Sequence, residues 1–280
     1  MKAYTSNNIR NITVLGHGGK GKTTLCEAML YIAGASDRLG RVADGNTVLD
    51  FDSEEKRRKS SVSSAIAALE WDNTKLNIID APGLFDFEGG AAEAVRAAEA
   101  VLIVTSAGSG VDVGTEKAFR AAEKKGAAKF FAITKTDSDH RNFYKTFDAL
   151  KEVYGNKLCP TIIPYMEGNI TKCYVNLMTG MAFSYDENGK ATKVPVPEDS
   201  VIEEMTSAFM EAVATTDDAL MEKFFEGEKF TKEEILKGLC IGIFDGSIYP
   251  VYAVSGLTCA GVDQLLYGLA WSAPGAFGYA

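Results

Sequence analysis

The glycine-rich segment at residues 16–24 carries the strongest chemical signal in this sequence. It reads GHGGKGKTT, with the spacing GxxxxGKT, and lies between the apolar run Asn11–Leu15 and a segment of helical periodicity. Glycines in such a loop let backbone N–H groups turn toward phosphate oxygens, and the helix N-terminus adds partial positive charge. The predicted phosphate-binding residues are Gly16, His17, Gly18, Gly19, Lys20, Gly21, Lys22, Thr23 and Thr24.

Three side chains of this segment have more specific predicted roles. Lys22 is expected to reach the β- and γ-phosphates of a nucleotide, and the Thr23 hydroxyl is expected to bind Mg²⁺. Thr24 is expected near the α-phosphate. The segment therefore predicts binding of a nucleoside phosphate, and a glycine-rich turn without a ligand is the alternative interpretation.

A second motif, Asp80-Ala81-Pro82-Gly83, follows the apolar strand Leu76–Ile79. An acidic residue at the end of a strand beside a phosphate loop can hold Mg²⁺ through water. The backbone N–H of Gly83, three residues later, could meet a γ-phosphate. By itself this motif could be a turn that starts a helix, but 58 residues after Lys22 in an alternating fold it indicates nucleotide chemistry.

A third motif, Thr134-Lys135-Thr136-Asp137, again follows a buried strand, Phe130–Ile133. The N1–H and N2–H₂ donors of guanine can both bond to one carboxylate, which suits Asp137, and adenine lacks this pattern. The stem of Lys135 can cover the face of the base. Further along the chain, the segment Ser255-Gly256-Leu257 could offer a backbone N–H to the guanine carbonyl. A charged helix-capping turn at residues 134–137 is the alternative.

The elements that must position these motifs alternate between strand and helix. After the first strand and helix, the patterns predict strand Lys75–Asp80, helix Glu88–Ala98, strand Val101–Thr105, helix Gly114–Lys125, strand Lys129–Thr134 and helix Arg141–Tyr154. Residues 35–59 lack periodicity and are expected to form a long mobile loop. Strands that alternate with helices of this length predict an α/β fold with a mostly parallel, doubly wound sheet.

The pattern changes between residues 156 and 247. Short strand-like pieces such as Cys173–Leu177 and Met181–Tyr185 precede three helical patterns. Strand Tyr249–Val254 and helix Val262–Trp271 then resume the alternation. We therefore expect a nucleotide-binding domain of residues 1–155 plus 248–280, with an inserted small α+β subdomain at residues 156–247.

Composition excludes several classes of protein. The 280 residues are 46% hydrophobic and 24% charged, with a formal net charge of −9. This balance is typical of a globular chain and unsuited to coating nucleic acid non-specifically, although one basic patch could still dock on a nucleic-acid machine. Sequence-specific DNA is not expected as a partner. The five scattered cysteines fit a reducing cytosol, and no apolar run reaches the roughly 18 residues of a membrane helix.

In chain order these motifs resemble those of translational GTPases, and they match elongation factor G and its paralogues closely. The matching stretches are GHGGKGKTT (16–24), EEKRRKSSVSSA (54–65), NIIDAPG (77–83), TKTD (134–137), LMEKFFEGEKFTKEEI (220–235) and SGLTCAGVDQLL (255–266). The resemblance implies a P-loop GTPase domain that binds GTP or GDP with Mg²⁺, has the ribosome as partner and works in the cytoplasm. The family continues with a β-barrel domain and three more, and Ala280 falls about where that barrel would begin.

The sequence departs from the family at four informative positions. The family's Mg²⁺-binding threonine falls on Ser61, which keeps the hydroxyl, and the asparagine of its NKxD motif falls on Thr134. The aspartate of its phosphate loop becomes Gly19. The family's water-positioning histidine falls on Leu84, which cannot hydrogen-bond to water. We therefore assign no catalytic residue and expect slow GTP hydrolysis by this chain alone.

Three functions remain open from the sequence. The first is a GTPase that turns over when docked on the ribosome. The second is a GTP-gated binding module whose chemistry is vestigial, which the residues at positions 19 and 84 would suit. The third, an ATP-using P-loop enzyme, is disfavoured by the TKTD motif.

Overall fold

The computed structural model describes residues 2–138 and 142–276. Its described part is built around one continuous ten-stranded sheet. Its strands are β1 (Ile9–Leu15), β2 (Ala65–Trp71), β3 (Thr74–Asp80), β4 (Ala100–Ser106), β5 (Ala128–Thr134), β6 (Leu158–Glu167), β7 (Ile170–Asn176), β8 (Met181–Tyr185), β9 (Ala191–Val194) and β10 (Tyr249–Ala253). They lie in the order β2-β3-β1-β4-β5-β10-β6-β7-β8-β9. Neighbours from β3 through β6 are parallel, and the remaining pairs are antiparallel. This architecture confirms the predicted α/β class.

The helices lie along the sheet and in its connections. They are α1 (Lys22–Ile32), α2 (Ser53–Arg58), α3 (Glu88–Arg96), α4 (Val113–Lys125), α5 (Phe143–Tyr154), α6 (Ser200–Ala214), α7 (Asp218–Glu226), α8 (Lys232–Asp245) and α9 (Val262–Ser272). The predicted first residue of α5, Arg141, lies outside the described residues. No helix in the described ranges is both long and apolar enough to cross a membrane.

The central strands are buried along their whole length. Every residue of β4, β5 and β10 is buried, as expected for parallel strands covered on both faces. The carboxyl ends of neighbouring parallel strands open on the same edge of the sheet. The loops that follow β1, β3, β5 and β10 are the four that carry the predicted chemistry, so the sheet gathers them at one edge.

The segment predicted as an inserted subdomain shares this sheet. Strand β6 pairs in parallel with β10, and β7 to β9 continue as an antiparallel meander. Helix α6 packs on β6, α7 and α8, and α8 also contacts α9 and β10. The division at residues 156 and 247 remains a proposal, with the sheet continuous across it.

The segment predicted as a featureless loop contains a helix. Asp52 caps α2, and its side chain accepts a bond from the N–H of Glu54 while Glu55 completes a capping box. The cap offsets the short length of the helix, because it satisfies N–H groups that would otherwise lack partners. Strand β2 begins at Ala65, seven residues after the end of α2.

Candidate functional site

The loop between β1 and α1 is shaped by glycines at its two ends. Gly16 has a φ of +142°, and a Cβ at this position would overlap the carbonyl oxygen of Val104 in β4. Gly21 has a φ of +91° and caps the N-terminus of α1. Side chains at either position would be strained or would clash. The loop therefore turns tightly from strand to helix at the edge of the sheet.

Lys22 lies across this loop. Its Nζ donates to the carbonyl oxygens of Gly16 at 3.1 Å and His17 at 3.2 Å. Burial lowers the pKa of Lys22, and the charge of Asp80 opposes that shift. Gly83 lies beside the same ammonium group, since a Cβ at Gly83 would overlap Nζ. The two predicted γ-phosphate contacts, Lys22 and Gly83, are thus side by side.

The three predicted metal ligands lie together in the structure, beside a fourth residue, Asp50. Thr23 donates from Oγ1 to Oδ2 of Asp80 at 2.6 Å, and its oxygen lies 3.1 Å from Oγ of Ser61. Ser61 in turn donates to Oδ1 of Asp50 at 2.7 Å. Each hydroxyl has a single hydrogen. When both hydrogens go to the carboxylates, the two hydroxyl oxygens present lone pairs to the space between them.

The two carboxylates of this site, those of Asp80 and Asp50, are deeply buried. Asp80 is 1% exposed and Asp50 is 3% exposed. Burial raises the pKa of Asp80 to about 7, although the Lys22 charge and the Thr23 bond oppose the shift. One oxygen of each, Oδ1 of Asp80 and Oδ2 of Asp50, is buried with no hydrogen-bond partner among the described residues. Buried polar atoms in this condition are uncommon, and a bound ion is one arrangement that would satisfy them.

Asp50 is the residue of this site that sequence reasoning missed. It lies in the segment predicted to be a loop without structure, 11 residues before Ser61. No spacing rule connects it to the motifs. The Asp52-x-x-Glu55 capping box was a readable signal that this segment has a fixed conformation, but it does not identify Asp50.

The predicted guanine-reading loop is fastened to the phosphate loop. Oγ1 of Thr134 lies 2.7 Å from the carbonyl oxygen of Lys20 and 3.0 Å from that of Thr105, and its single hydrogen can be donated to either. Lys135 has a φ of +61°, and its Nζ donates to the carbonyl oxygen of Gly19 at 2.7 Å. The two motifs, more than one hundred residues apart in sequence, are therefore in direct contact.

The remaining predicted guanine-reading residues lie at the end of β5 and beyond β10. Asp137 is exposed and lines a cavity of about 280 Å³ that Thr258 also lines. Ser255 is buried, and Leu257 is 51% exposed. A Cβ at Gly256 would lie 3.0 Å from the carbonyl oxygen of Thr24. The loop after β10 therefore packs against the first turn of α1.

Thr136 joins these loops to the predicted insertion. Its Oγ1 donates to the carbonyl oxygen of Val254 at 3.0 Å and lies 2.7 Å from the hydroxyl oxygen of Tyr174 in β7. Thr171 in β7 also donates to the carbonyl oxygen of Thr136, at 2.8 Å. The predicted insertion is thus hydrogen-bonded to the predicted guanine-reading loop.

The side chains of Lys20 and His17 point elsewhere. Lys20 forms an ion pair with Asp112, the N-cap of α4, at 3.0 Å. His17 packs edge-on against Phe85, with ring centroids 5.7 Å apart. Nδ1 of His17 is buried and has no hydrogen-bond partner among the described residues. We therefore expect the phosphate contacts of these two positions to come from the backbone.

Leu84 lies directly over the phosphate loop. A Cβ added to Gly18 would lie 3.0 Å from Cδ2 of Leu84. The Leu84 side chain is 39% exposed and the neighbouring Phe85 is 45% exposed. An apolar surface therefore lies at the position where the family resemblance implies a histidine.

The comparisons with known proteins agree with this architecture. Residues 7–274 match the family described as "Elongation factor Tu GTP binding domain". Elongation factor G-like proteins from two strains of Mycobacterium tuberculosis are each 33% identical over 261 residues, which is 92% of this chain and 36% of theirs. A crystal structure of a protein from Thermus thermophilus superposes with a TM-score of 0.89 and 34% identity, covering 96% of this chain and 41% of that one.

The sheet and the loop between β1 and α1 define the class of P-loop nucleotide-binding proteins. Within that class, the chain belongs to the elongation factor Tu GTP-binding domain family, as the motifs predicted, and it resembles the elongation factor G-like members. The chain spans about a third of the length of the curated relatives it matches, 36% in each case.

Proposed function

We propose that this chain is the GTP-binding domain of an elongation-factor-G-like translation factor. In this proposal it binds GTP or GDP with Mg²⁺, hydrolyses GTP slowly by itself, and turns GTP over when docked on the ribosome. The observation that carries it is the convergence of the phosphate loop, the Asp80 motif and the Thr134–Asp137 motif at one sheet edge. Family membership supports guanine over adenine as the base.

The phosphate-binding role rests on the loop at residues 16–24. Its backbone N–H groups and the N-terminus of α1 provide positive potential for phosphate oxygens. The Lys22 ammonium now bonds to two carbonyls of the loop and would bond to β- and γ-phosphate oxygens instead. Gly83, which lies beside Nζ, would add a backbone N–H to the γ-phosphate.

The residues present fit Mg²⁺. Thr23, Ser61, Asp80 and Asp50 supply only oxygen atoms, which are the ligands that Mg²⁺ prefers. The carboxylate oxygens without partners on Asp80 and Asp50 would bond to the water shell of the ion. Bound there, Mg²⁺ would neutralise charge on the β- and γ-phosphates. We assign Thr23 and Ser61 as direct ligands and Asp80 as a ligand through water.

The guanine-reading role is assigned to the loops after β5 and β10. Asp137 would accept the two donors on the edge of guanine, and the stem of Lys135 would cover its face. Thr134 ties this loop to the phosphate loop, which fixes the distance between base and phosphates. The loop Ser255-Gly256-Leu257 would donate a backbone N–H to the guanine carbonyl.

Slow hydrolysis follows from the groups around the expected γ-phosphate. Leu84 contacts Gly18 there and has no polar atom with which to orient water. The ring of His17 is packed against Phe85. Phosphoryl transfer depends on positioning of the attacking water and on charge stabilisation. These residues would therefore allow GTP to bind but would not orient the water that hydrolyses it. The apolar Leu84 at this position is also consistent with the alternative function, a GTP-gated binding module.

Phosphate release from GTP over many turnovers, with and without ribosomes, tests the proposal. We expect GTP binding, a rate barely above background for the chain alone, and faster release when the protein that carries it meets ribosomes. Tight GTP binding without phosphate release in the presence of ribosomes would favour the GTP-gated binding module. Fast release without ribosomes would contradict the role given to Leu84.

The proposal extends to the wider protein. Ribosome docking would place it in the cytoplasm. Residues 1–155 plus 248–280 would form the nucleotide-binding domain, and residues 156–247 the inserted subdomain. The bonds between Thr136 and β7 would connect events in that subdomain to the base-reading loop.

A further inference from the structure

Glu27 is a buried carboxylate inside α1, one helical turn after Thr23. It is 0% exposed, and its helix neighbours Cys26, Ala28 and Met29 are buried apolar residues. Burial raises the pKa of Glu27, against the effect of two backbone hydrogen bonds. Removing a carboxyl group from water costs free energy unless hydrogen-bond partners compensate for it. The carboxylate therefore calls for a specific explanation.

The explanation lies in the segment that carries Asp50 and Ser61. Oε1 of Glu27 accepts hydrogen bonds from the backbone N–H groups of Val48 at 2.8 Å and Leu49 at 3.0 Å. In the described structure, the backbone–backbone hydrogen bonds of residues 41–60 stay within that segment. Glu27 thus supplies a polar connection from this segment to α1, immediately before Asp50.

The same carboxylate also contacts the start of the segment. Gly40 lies against Glu27 so closely that a Cβ there would overlap Oε2. Residues 40 and 48–49 therefore meet at one side chain, which closes the intervening residues into a lobe. The far end of the segment is held separately by Glu55, whose Oε1 accepts bonds from the N–H groups of Val62 at 3.0 Å and Ser63 at 3.1 Å.

We propose that Glu27 is a positioning residue for the Mg²⁺ site. By holding Val48 and Leu49 it keeps Asp50 bonded to Ser61, and so keeps both residues beside Thr23. Glu27 acts through these residues and does not itself bind the ion or the nucleotide. This inference rests on the proposed function, since it concerns the Mg²⁺ that accompanies GTP or GDP.

The direct test measures hydrogen exchange at the amides of Val48 and Leu49 in the nucleotide-free protein. Removal of a charged acceptor shared by two N–H groups should speed exchange there about tenfold or more in Glu27→Ala. Glu27→Gln keeps an acceptor oxygen and should retain most of the protection. Unchanged exchange in Glu27→Ala would overturn the tether.

The functional test measures GDP affinity at a series of Mg²⁺ concentrations and determines the Mg²⁺ concentration at which the affinity reaches half of its value in saturating Mg²⁺. We expect Glu27→Ala to raise it about tenfold, the scale of one charge-assisted hydrogen bond, with GDP affinity in EDTA unchanged. Glu27→Gln should restore most of the Mg²⁺ response. Faster exchange at Val48 and Leu49 without a change in the Mg²⁺ requirement would overturn the positioning role.

Two further variants separate this role from general stability. Glu99→Ala removes another carboxylate, which accepts a bond from Asn11 at 3.0 Å, and should leave the Mg²⁺ requirement unchanged. If Glu27→Ala does not fold, Gly40→Ala presses on the same carboxylate from the loop side and should give the same two effects. Wild-type protein without Mg²⁺-dependent GDP binding would refute the proposed function. Wild-type binding with an unaltered Glu27→Ala response would refute this inference alone.

Discussion

The hydroxyl group of Thr23 donates a hydrogen bond of 2.6 Å to the carboxylate of Asp80, which lies 57 positions later in the sequence. Thr23 is the second residue of α1 and Asp80 is the last residue of β3, so the bond connects the end of the phosphate loop to the neighbouring strand. Ser61 lies 3.1 Å from the same hydroxyl. The proposed Mg²⁺ site is therefore built from three separate stretches of chain around one threonine.

The first prediction concerns the lysine of the phosphate loop. Lys22→Ala removes the cation expected over the β- and γ-phosphates, and GDP affinity should fall at least about tenfold, or 1.4 kcal/mol. Fluorescence titration with labelled GDP measures it. Lys20→Ala is the matched control, because Lys20 pairs with Asp112 instead, and its effect should be much smaller. Equal GDP binding by a folded Lys22→Ala variant and wild type would refute the role.

The second prediction concerns the choice of base. Asp137→Asn replaces an acceptor by a group that can donate, so GDP affinity should fall about tenfold or more. Xanthosine diphosphate should bind better than to wild type, because xanthine has a carbonyl where guanine has an amine. Competition titrations with both nucleotides measure the switch.

Asp186→Asn is the control for this change, since Asp186 lines the same cavity as Asp137. It should leave the preference for guanine intact. A shift toward xanthine in the control, or no shift in Asp137→Asn, would mean that another group reads the base.

The third prediction concerns the apolar residue at the hydrolysis position. Leu84→His should increase single-turnover GTP hydrolysis on the order of 10²-fold in the presence of ribosomes, the scale of one group that orients water or moves a proton. Leu84→Ala removes the same leucine without adding an imidazole and should stay slow. A fast wild-type rate that does not respond to changes at residue 84 would place the water-orienting group elsewhere.

The fourth prediction concerns pH and the stability of the protein without Mg²⁺ or nucleotide. The pKa of buried Asp80 is raised to about 7, so the folded state binds more protons than the unfolded state between about pH 4 and pH 7. Stability is then highest at the acidic end of this window and falls as pH rises through 7. The loss attributable to Asp80 is at most about 4 kcal/mol, from 1.36 kcal/mol per pKa unit.

Urea unfolding of the EDTA-treated protein at several pH values measures this effect. Asp80→Asn should flatten the decline with pH, because the amide does not titrate. When Mg²⁺ and GDP are added to the wild-type protein above pH 7, its free energy of unfolding should rise again. The same pH dependence in wild type and Asp80→Asn would assign the titration to other groups.

Much of this fold was readable from local patterns. Apolar runs that alternate with helical periodicity predict β1, β3, β4, β5 and β10, and each site motif directly follows one of them. The ten-residue strand β6 was not predictable in this way, because Pro160 and Pro164 interrupt its pattern and proline is unusual within a sheet. The register between β6 and β10 is irregular next to the first of these prolines, where Val251 lies opposite Pro160.

The site was predictable only where spacing is fixed by a motif. The phosphate loop and the Thr134–Asp137 loop each follow a strand, so their meeting follows from parallel topology. Asp50 and Glu27 were not predictable, because their roles depend on a tertiary contact between α1 and the segment of residues 40–63. That contact is formed by buried carboxylates and backbone N–H groups, which leave no periodic signature.

Equilibrium titration of the wild-type chain with GDP and ADP, with and without Mg²⁺, tests the central claim most directly. The account predicts that GDP binds at least about a hundredfold more tightly than ADP in Mg²⁺, equal to about 2.7 kcal/mol. It also predicts that EDTA weakens GDP binding. Equal affinity for the two nucleotides, or GDP binding indifferent to Mg²⁺, would contradict the roles given to Asp137 or to the Thr23–Ser61–Asp80 site.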